Sequence, residues 1–201
     1  MGSNIRCASN QVPFAEGSPD HDPELKPRRY PMAVRGKTLK ILVFLHGTVI
    51  MHSSAVGVPR EQRVRQSSTH EPSVREFASY VPVGDAVSKL HNWARQGAEV
   101  VYLSSHRRAE DVRKDEAVLR RYGFPEGPVL QRGSDDSYAD VAERALPDVL
   151  VEDDCESIGG ANEMVYPHLQ DPISRRIHSI AVPEFGGIDH LPSDLAELSR
   201  F

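Results

Sequence analysis

The run KILVFLHGTVIMH at 40–52 constrains this chain more than any other stretch. Ile41, Leu42, Val43 and Phe44 are consecutive apolar residues without alternation, as in a strand covered on both faces. The run passes directly into His46-Gly47-Thr48, a tight turn carrying an imidazole and a hydroxyl. Open α/β sheets bind their ligands just beyond the carboxyl ends of such strands. One segment therefore points both to a fold class and to a place for chemistry.

The rest of the chain alternates in the way a parallel sheet requires. Val83, Val87, Leu90 and Ala94 share one helical face, so 83–96 is expected to be a helix closed by Gly97. A strand follows at 99–103. Ala109, Val112, Leu119 and Tyr122 predict a helix over 108–122, with Gly123 at its end. A short strand at 129–130 precedes a helix that starts at Tyr138 and stops before Pro147. Strands at 148–151 and 177–182 and a short helix at 193–200 complete the pattern. Short connections between alternating strands and helices argue for a mainly parallel, Rossmann-like sheet with helices on both faces.

Residues 1–38 are rich in Pro, Ser, Asn, Asp and Arg without an apolar period, and are expected to be a flexible leader ahead of a single domain at 39–201. Residues 51–82 are polar and longer than an ordinary strand-to-helix loop, and predict a flap with a short helix near 60–66. The arginines there, Arg60, Arg63 and Arg65, are expected to form a solvated helix face.

Three strands end in polar clusters: His46-Gly47-Thr48, Ser104-Ser105-His106-Arg107 and Glu152-Asp153-Asp154. Adjacent strands would bring the three into one crevice. The order of these clusters resembles the motifs of the haloacid dehalogenase (HAD) superfamily over about residues 38–192. Its first motif is Asp-x-Asp-Gly-Thr-Val, matched here as Phe44-Leu45-His46-Gly47-Thr48-Val49. Its second ends a strand in Ser or Thr, as at Ser104. Its fourth carries paired acids, as in Glu152-Asp153-Asp154 followed by Ser157-Ile158-Gly159-Gly160.

The resemblance implies a HAD-like fold with a minimal flap in place of a full cap. It implies a phosphoryl-binding role for Ser104 and a Mg²⁺-binding role for Asp153. It also shows a loss. The family's first Asp is the nucleophile and a metal ligand, and Phe44 can be neither. The second Asp is the general acid/base, and His46 stands in its place. Mg²⁺ demands hard oxygen ligands, so the inherited metal site is weakened. The family's third-motif cation falls near Tyr138, and Arg132 is the nearest basic residue.

The expected function follows from that loss. The chain is a HAD-like protein without phosphoaspartate chemistry, whose crevice binds a small anionic or phosphorylated molecule, or a partner, through Gly47, Thr48, Ser104, Ser105 and Arg107. Asp153 and Asp154 are the candidate metal ligands, needing either a divalent cation or a pairing with Arg107 or His46. No other cofactor is expected. The alternative is a hydrolase-type enzyme in which His46 serves as acid/base or nucleophile with Ser104, Arg107 and Asp153. A transition metal held by His46, His106 and Asp153 is a further possibility of donor chemistry. Cys155 beside the acids, and Trp93, are expected to be structural.

A net charge of −5, with basic and acidic residues interspersed, points away from nucleic acid. No apolar run is long enough to span a bilayer, and two cysteines suit a reducing, cytoplasmic setting. A monomer or homodimer is expected.

Overall fold

The computed structural model describes residues 38–201. The leader expectation for 1–38 and the position of Cys7 fall outside the described residues, apart from Thr38 itself. Seven strands and five α-helices follow in chain order: β1 (Lys40–Phe44), β2 (Ile50–Met51), α1 (Arg60–Ser68), β3 (Val81–Pro82), α2 (Ala86–Arg95), β4 (Glu99–Leu103), α3 (Ala109–Tyr122), β5 (Val129–Leu130), α4 (Tyr138–Ala145), β6 (Val149–Asp153), β7 (His178–Val182) and α5 (Leu195–Leu198).

Five strands form one parallel sheet in the order β5-β4-β1-β6-β7. β1 is central, with Leu42 opposite Val101 on one side and Leu150 on the other. Its uninterrupted apolar run is explained by this position, because both faces are covered. Ile41, Val43 and Leu45 pack with Ala86, Leu90 and Trp93 of α2, Val118 and Leu119 of α3, and Leu198. Leu42 and Phe44 point to the other face, against Ala139, Val141 and Ala142 of α4. The period-two alternation of a strand thus divides one apolar run between two cores.

Helix ends follow local chemistry. α3 stops where Gly123 takes a left-handed conformation, with φ +67°. α4 opens on a capping box in which Ser137 and Asp140 each bond the other's backbone N–H. Trp93 is fully buried, and its indole N–H donates to the Pro192 carbonyl at 2.9 Å.

Two parts differ from the sequence expectation. The flap carries its expected short helix as α1, and it also has strands the sequence did not show: β2 and β3 pair antiparallel, and residues 52–80 are inserted between them. Strands of two residues carry too little periodicity to be read in advance. Of the α1 arginines, Arg65 is exposed as expected, but Arg60 and Arg63 are not simply solvated. Arg60 donates to the Glu184 carbonyl at 2.8 Å and Arg63 to the Phe185 carbonyl at 3.0 Å. They pin the insertion to the segment that follows β7. No helix of the described residues is long and apolar enough to cross a membrane.

Candidate functional site

β4, β1 and β6 are neighbours, so the three polar clusters come together at the carboxyl edge of the sheet. A cavity of about 190 Å³ lies there. Phe44, His46 and Gly47 come to it from the end of β1, Ser105 and His106 from β4, and Asp153 and Cys155 from β6. The insertion contributes His52, Phe77 and Tyr80, and the segment after β7 contributes Glu184 and Phe185.

One wall is apolar. Phe44 meets the Tyr138 ring edge-on at 5.0 Å between centroids. Phe77 and Tyr80 face it from the insertion. The ring of Phe44 thus forms part of the cavity wall.

A second wall is a hydrogen-bonded relay centred on His46. Its Nδ1 lies 2.8 Å from the Ser105 hydroxyl, and its Nε2 lies 3.0 Å from Oδ1 of Asp115. Asp115 projects from the middle of α3 and is fully buried. Its other oxygen accepts from the Ser104 hydroxyl at 2.6 Å. Burial alone would raise the Asp115 carboxyl. The adjoining His46 and the hydrogen bonds from His46 and Ser104 outweigh it and hold the group below its usual value. His106 packs between His46, at 4.6 Å, and Phe77, at 4.1 Å. Burial, helped by the neighbouring His46, pushes its imidazole down to about 4.

A third wall is acidic. Asp153, Asp154 and Glu184 bring carboxylate oxygens within 4.8 Å of one another. Asp153 accepts from the Thr48 hydroxyl at 2.8 Å and from the Cys155 N–H at 3.0 Å. Glu184 accepts from both the N–H and the hydroxyl of Ser157. Arg60 lies 3.7 Å from Asp154. Burial pushes the Asp153 carboxyl up to about 7, and the charges of Glu184 and Asp154 act in the same direction. Gly47 makes this approach possible. Its φ is +82°, and a Cβ there would lie 2.8 Å from Oδ2 of Asp153. Gly47→Ala is expected to cost about 1–3 kcal/mol of unfolding free energy, measured by urea denaturation.

The raised Asp153 value has a consequence of definite sign. Between pH 3.8 and about 7 the folded state holds a proton that the unfolded chain releases. The stability linked to this group is thus present below 3.8 and lost as pH rises through about 7. His106 works the other way, gaining stability from about 4 up to 6.5. Comparing wild type with Asp153→Asn isolates the first effect. The wild type should lose about 2–3 kcal/mol more than the variant between about pH 5 and about pH 8 in metal-free buffer.

The expected residues are not all placed alike. His46, Gly47, Ser105 and Asp153 line the cavity. Thr48 and Ser104 are fully buried beneath it, each donating to a carboxylate. Arg107 is exposed and donates to the carbonyls of Gly133 and Ser134, at 2.9 Å each. It therefore does not pair with Asp153, and neither does His46; Thr48 and a backbone N–H take that place. Arg132 stacks on Tyr138, its guanidinium carbon 3.6 Å from the ring centroid, and donates to the Ser105 carbonyl at 3.3 Å. The thiol of Cys155 is buried and pushed up by that burial.

Five contributors are not marked as such in the sequence. Asp115 interrupts the buried stripe of α3, between Val112 and Val118. An acid on an apolar stripe was the available signal. Glu184 lies two residues past the last strand, the position where parallel sheets put ligand-contacting groups. His52, Phe77 and Tyr80 sit in an insertion with no periodicity, and nothing in the sequence singled them out.

No family model matches this sequence, and no curated protein matches it either. Solved structures resemble it at low identity. A chain of the Pnkp1/Rnl/Hen1 complex is 15% identical with a TM-score of 0.47, over 80% of this chain and 52% of that one. The chain thus spans about half the length of that relative. The class C acid phosphatase of Bacillus anthracis, solved with tungstate bound, is 12% identical with a TM-score of 0.49, over 76% of this chain and 70% of that one. A haloacid dehalogenase-like family hydrolase from Streptococcus pneumoniae is 13% identical with a TM-score of 0.42, over 81% and 90%. The parallel α/β sheet of this chain, with the three polar clusters on adjacent strands, is the Rossmann-like fold class expected from its sequence.

Proposed function

We propose that this HAD-like protein binds a small ligand in the cavity at the carboxyl edge of its sheet and forms no phosphoaspartate. Phe44 carries the reading. A phenyl ring can neither attack phosphorus nor hold a cation, and here it lines the cavity where the family's nucleophile stands. The volume suits one ring-sized group, which Phe44, Phe77, Tyr80 and Tyr138 would contact.

The polar wall sets the charge requirement. Asp153 and Glu184 line the cavity, and no Lys or Arg does. An anionic group would meet repulsion there unless a cation came with it. The fit to Mg²⁺ lies in donor type: Asp153, Asp154 and Glu184 offer hard carboxylate oxygens, and burial, with the charges of Glu184 and Asp154 added, pushes the Asp153 carboxyl up to about 7. These three residues would hold the ion, which supplies positive charge to an anionic or phosphorylated ligand. Thr48 and the Cys155 N–H fix Asp153, and Ser157 fixes Glu184.

The test is thermal stabilisation by small ring-bearing phosphates and carboxylates, with and without Mg²⁺. Binding that needs Mg²⁺ and weakens about tenfold or more in Asp153→Asn supports the reading. Mg²⁺-dependent phosphoester turnover that disappears in Asp153→Asn would overturn it.

A second reading, hydrolytic chemistry at His46, is favoured by one observation: both ring nitrogens are engaged. Asp115 is acceptor-only when ionised, so Nε2 carries the proton and Nδ1 can accept from Ser105. Ser105, or a water beside it, would then surrender a proton to His46, with Asp115 orienting the ring. Ester hydrolysis unchanged in His46→Ala would end this reading.

A further inference from the structure

The carboxylate cluster is not the only metal-capable group at the cavity. His46, His106 and Asp115 form a second one, separate from the Asp153 cluster. We propose that these three residues bind a divalent transition ion such as Zn²⁺, with an open coordination position facing the cavity.

Donor spacing supports this first. His46 Nε2 lies 3.0 Å from Asp115 Oδ1, and His106 Nε2 lies 3.6 Å from the same oxygen. Donors on a tetrahedral ion with bonds of about 2.0–2.1 Å lie about 3.3 Å apart. The two observed distances straddle that value, and all three donor atoms lie within 4.8 Å of one another. Two imidazoles and one carboxylate also suit a borderline ion better than Mg²⁺.

The unpaired nitrogen supports it second. His106 Nε2 is buried and has no hydrogen-bond partner, although Asp115 is near. At 3.6 Å the pair is too long for a hydrogen bond but suitable for two ligands of one ion. A buried imidazole nitrogen without a partner is costly in a folded protein. Coordination removes that cost, whereas a Ser105–His46–Asp115 relay leaves His106 unexplained.

The outer contacts support it third. Ligating histidines carry a partner on the other nitrogen, and ligating carboxylates are themselves hydrogen-bonded. Ser105 sits 2.8 Å from His46 Nδ1, and Ser104 donates to the second oxygen of Asp115. Both hydroxyls come from the turn after β4, so the strand end that the sequence marked as polar becomes the support of the site. Because His46 and His106 line the cavity, a water or a ligand atom there completes the coordination. The His46 ring is then a ligand, with its proton on Nδ1 donated to Ser105, and no longer a base.

The test uses the full chain, stripped with chelator and titrated with Zn²⁺ by calorimetry and with Co²⁺ by visible absorption. One equivalent with the intense bands of tetrahedral Co²⁺ is expected. His106→Asn should weaken binding at least 100-fold, and Ser105→Ala about 10-fold. Asp153→Asn should leave it within twofold, because that residue belongs to the other cluster. Circular dichroism confirms that each variant is folded; if His106→Asn is not, His106→Gln replaces it. Absence of binding to the folded wild type, or binding unchanged in the folded His106 variant, overturns the proposal. Loss in Asp153→Asn with retention in the His106 variant also overturns it and assigns the ion to the acidic cluster.

Discussion

Asp115→Ala is expected to lower the unfolding free energy by about 3–5 kcal/mol, measured by urea denaturation in metal-free buffer. The carboxylate is fully buried and accepts from Ser104 and His46, with His106 alongside. Its removal leaves the buried Ser104 hydroxyl and the part-buried His46 ring N–H without their acceptor and opens a small void. Alanine improves helix propensity in α3 by a few tenths of a kcal/mol, too little to compensate. Asp115→Asn keeps the volume and one acceptor oxygen, so it should cost less than half as much. A loss under about 1 kcal/mol for the alanine variant would mean that water replaces the carboxylate, and that the relay is not a structural unit.

Phe44→Ala is expected to cost about 3 kcal/mol, the lower end of the range for a buried phenylalanine. The ring packs on Leu42's side of the sheet and edge-on to Tyr138, but its other side already faces the cavity. Truncation therefore loses apolar burial while enlarging a space that exists. The functional consequence runs with it: ring-sized ligands should bind at least tenfold more weakly, because one wall has receded. Urea denaturation and ligand titration on the same preparation separate the two effects. Unchanged ligand affinity would place the binding surface elsewhere.

Much of the fold is legible in the sequence. The unalternated run at 41–44 announced a central buried strand, and β1 is the middle strand of five. The polar clusters announced the carboxyl edge, and they converge there because their strands are adjacent. What stayed hidden depends on contacts distant in sequence. Asp115 reads as a helix-surface acid until α3 packs on the sheet and turns it inward. The role of the 52–80 insertion depends on the β2–β3 pairing, two residues on each side. Arg107 illustrates the opposite error. Its sequence neighbours Ser104 and Ser105 face the sheet edge, but the chain turns, and the guanidinium finds the carbonyls of the 133–134 loop. Ser104 was read as an anion contact, and its hydroxyl is committed to Asp115.

The two walls give the site a consistent logic. The acidic side gathers Asp153, Asp154 and Glu184, and burial, with the charges of Glu184 and Asp154 added, raises the Asp153 carboxyl. The other side carries His46, hydrogen-bonded to Asp115, with His106 alongside.

The central claim is that no phosphoryl group passes through the protein. Incubating the full chain with Mg²⁺ and a reactive phosphoryl donor, then measuring the intact mass after acid quenching, tests it most directly. The account predicts an unmodified mass. An acid-stable, base-labile phosphoryl adduct, absent from Asp153→Asn, would contradict it.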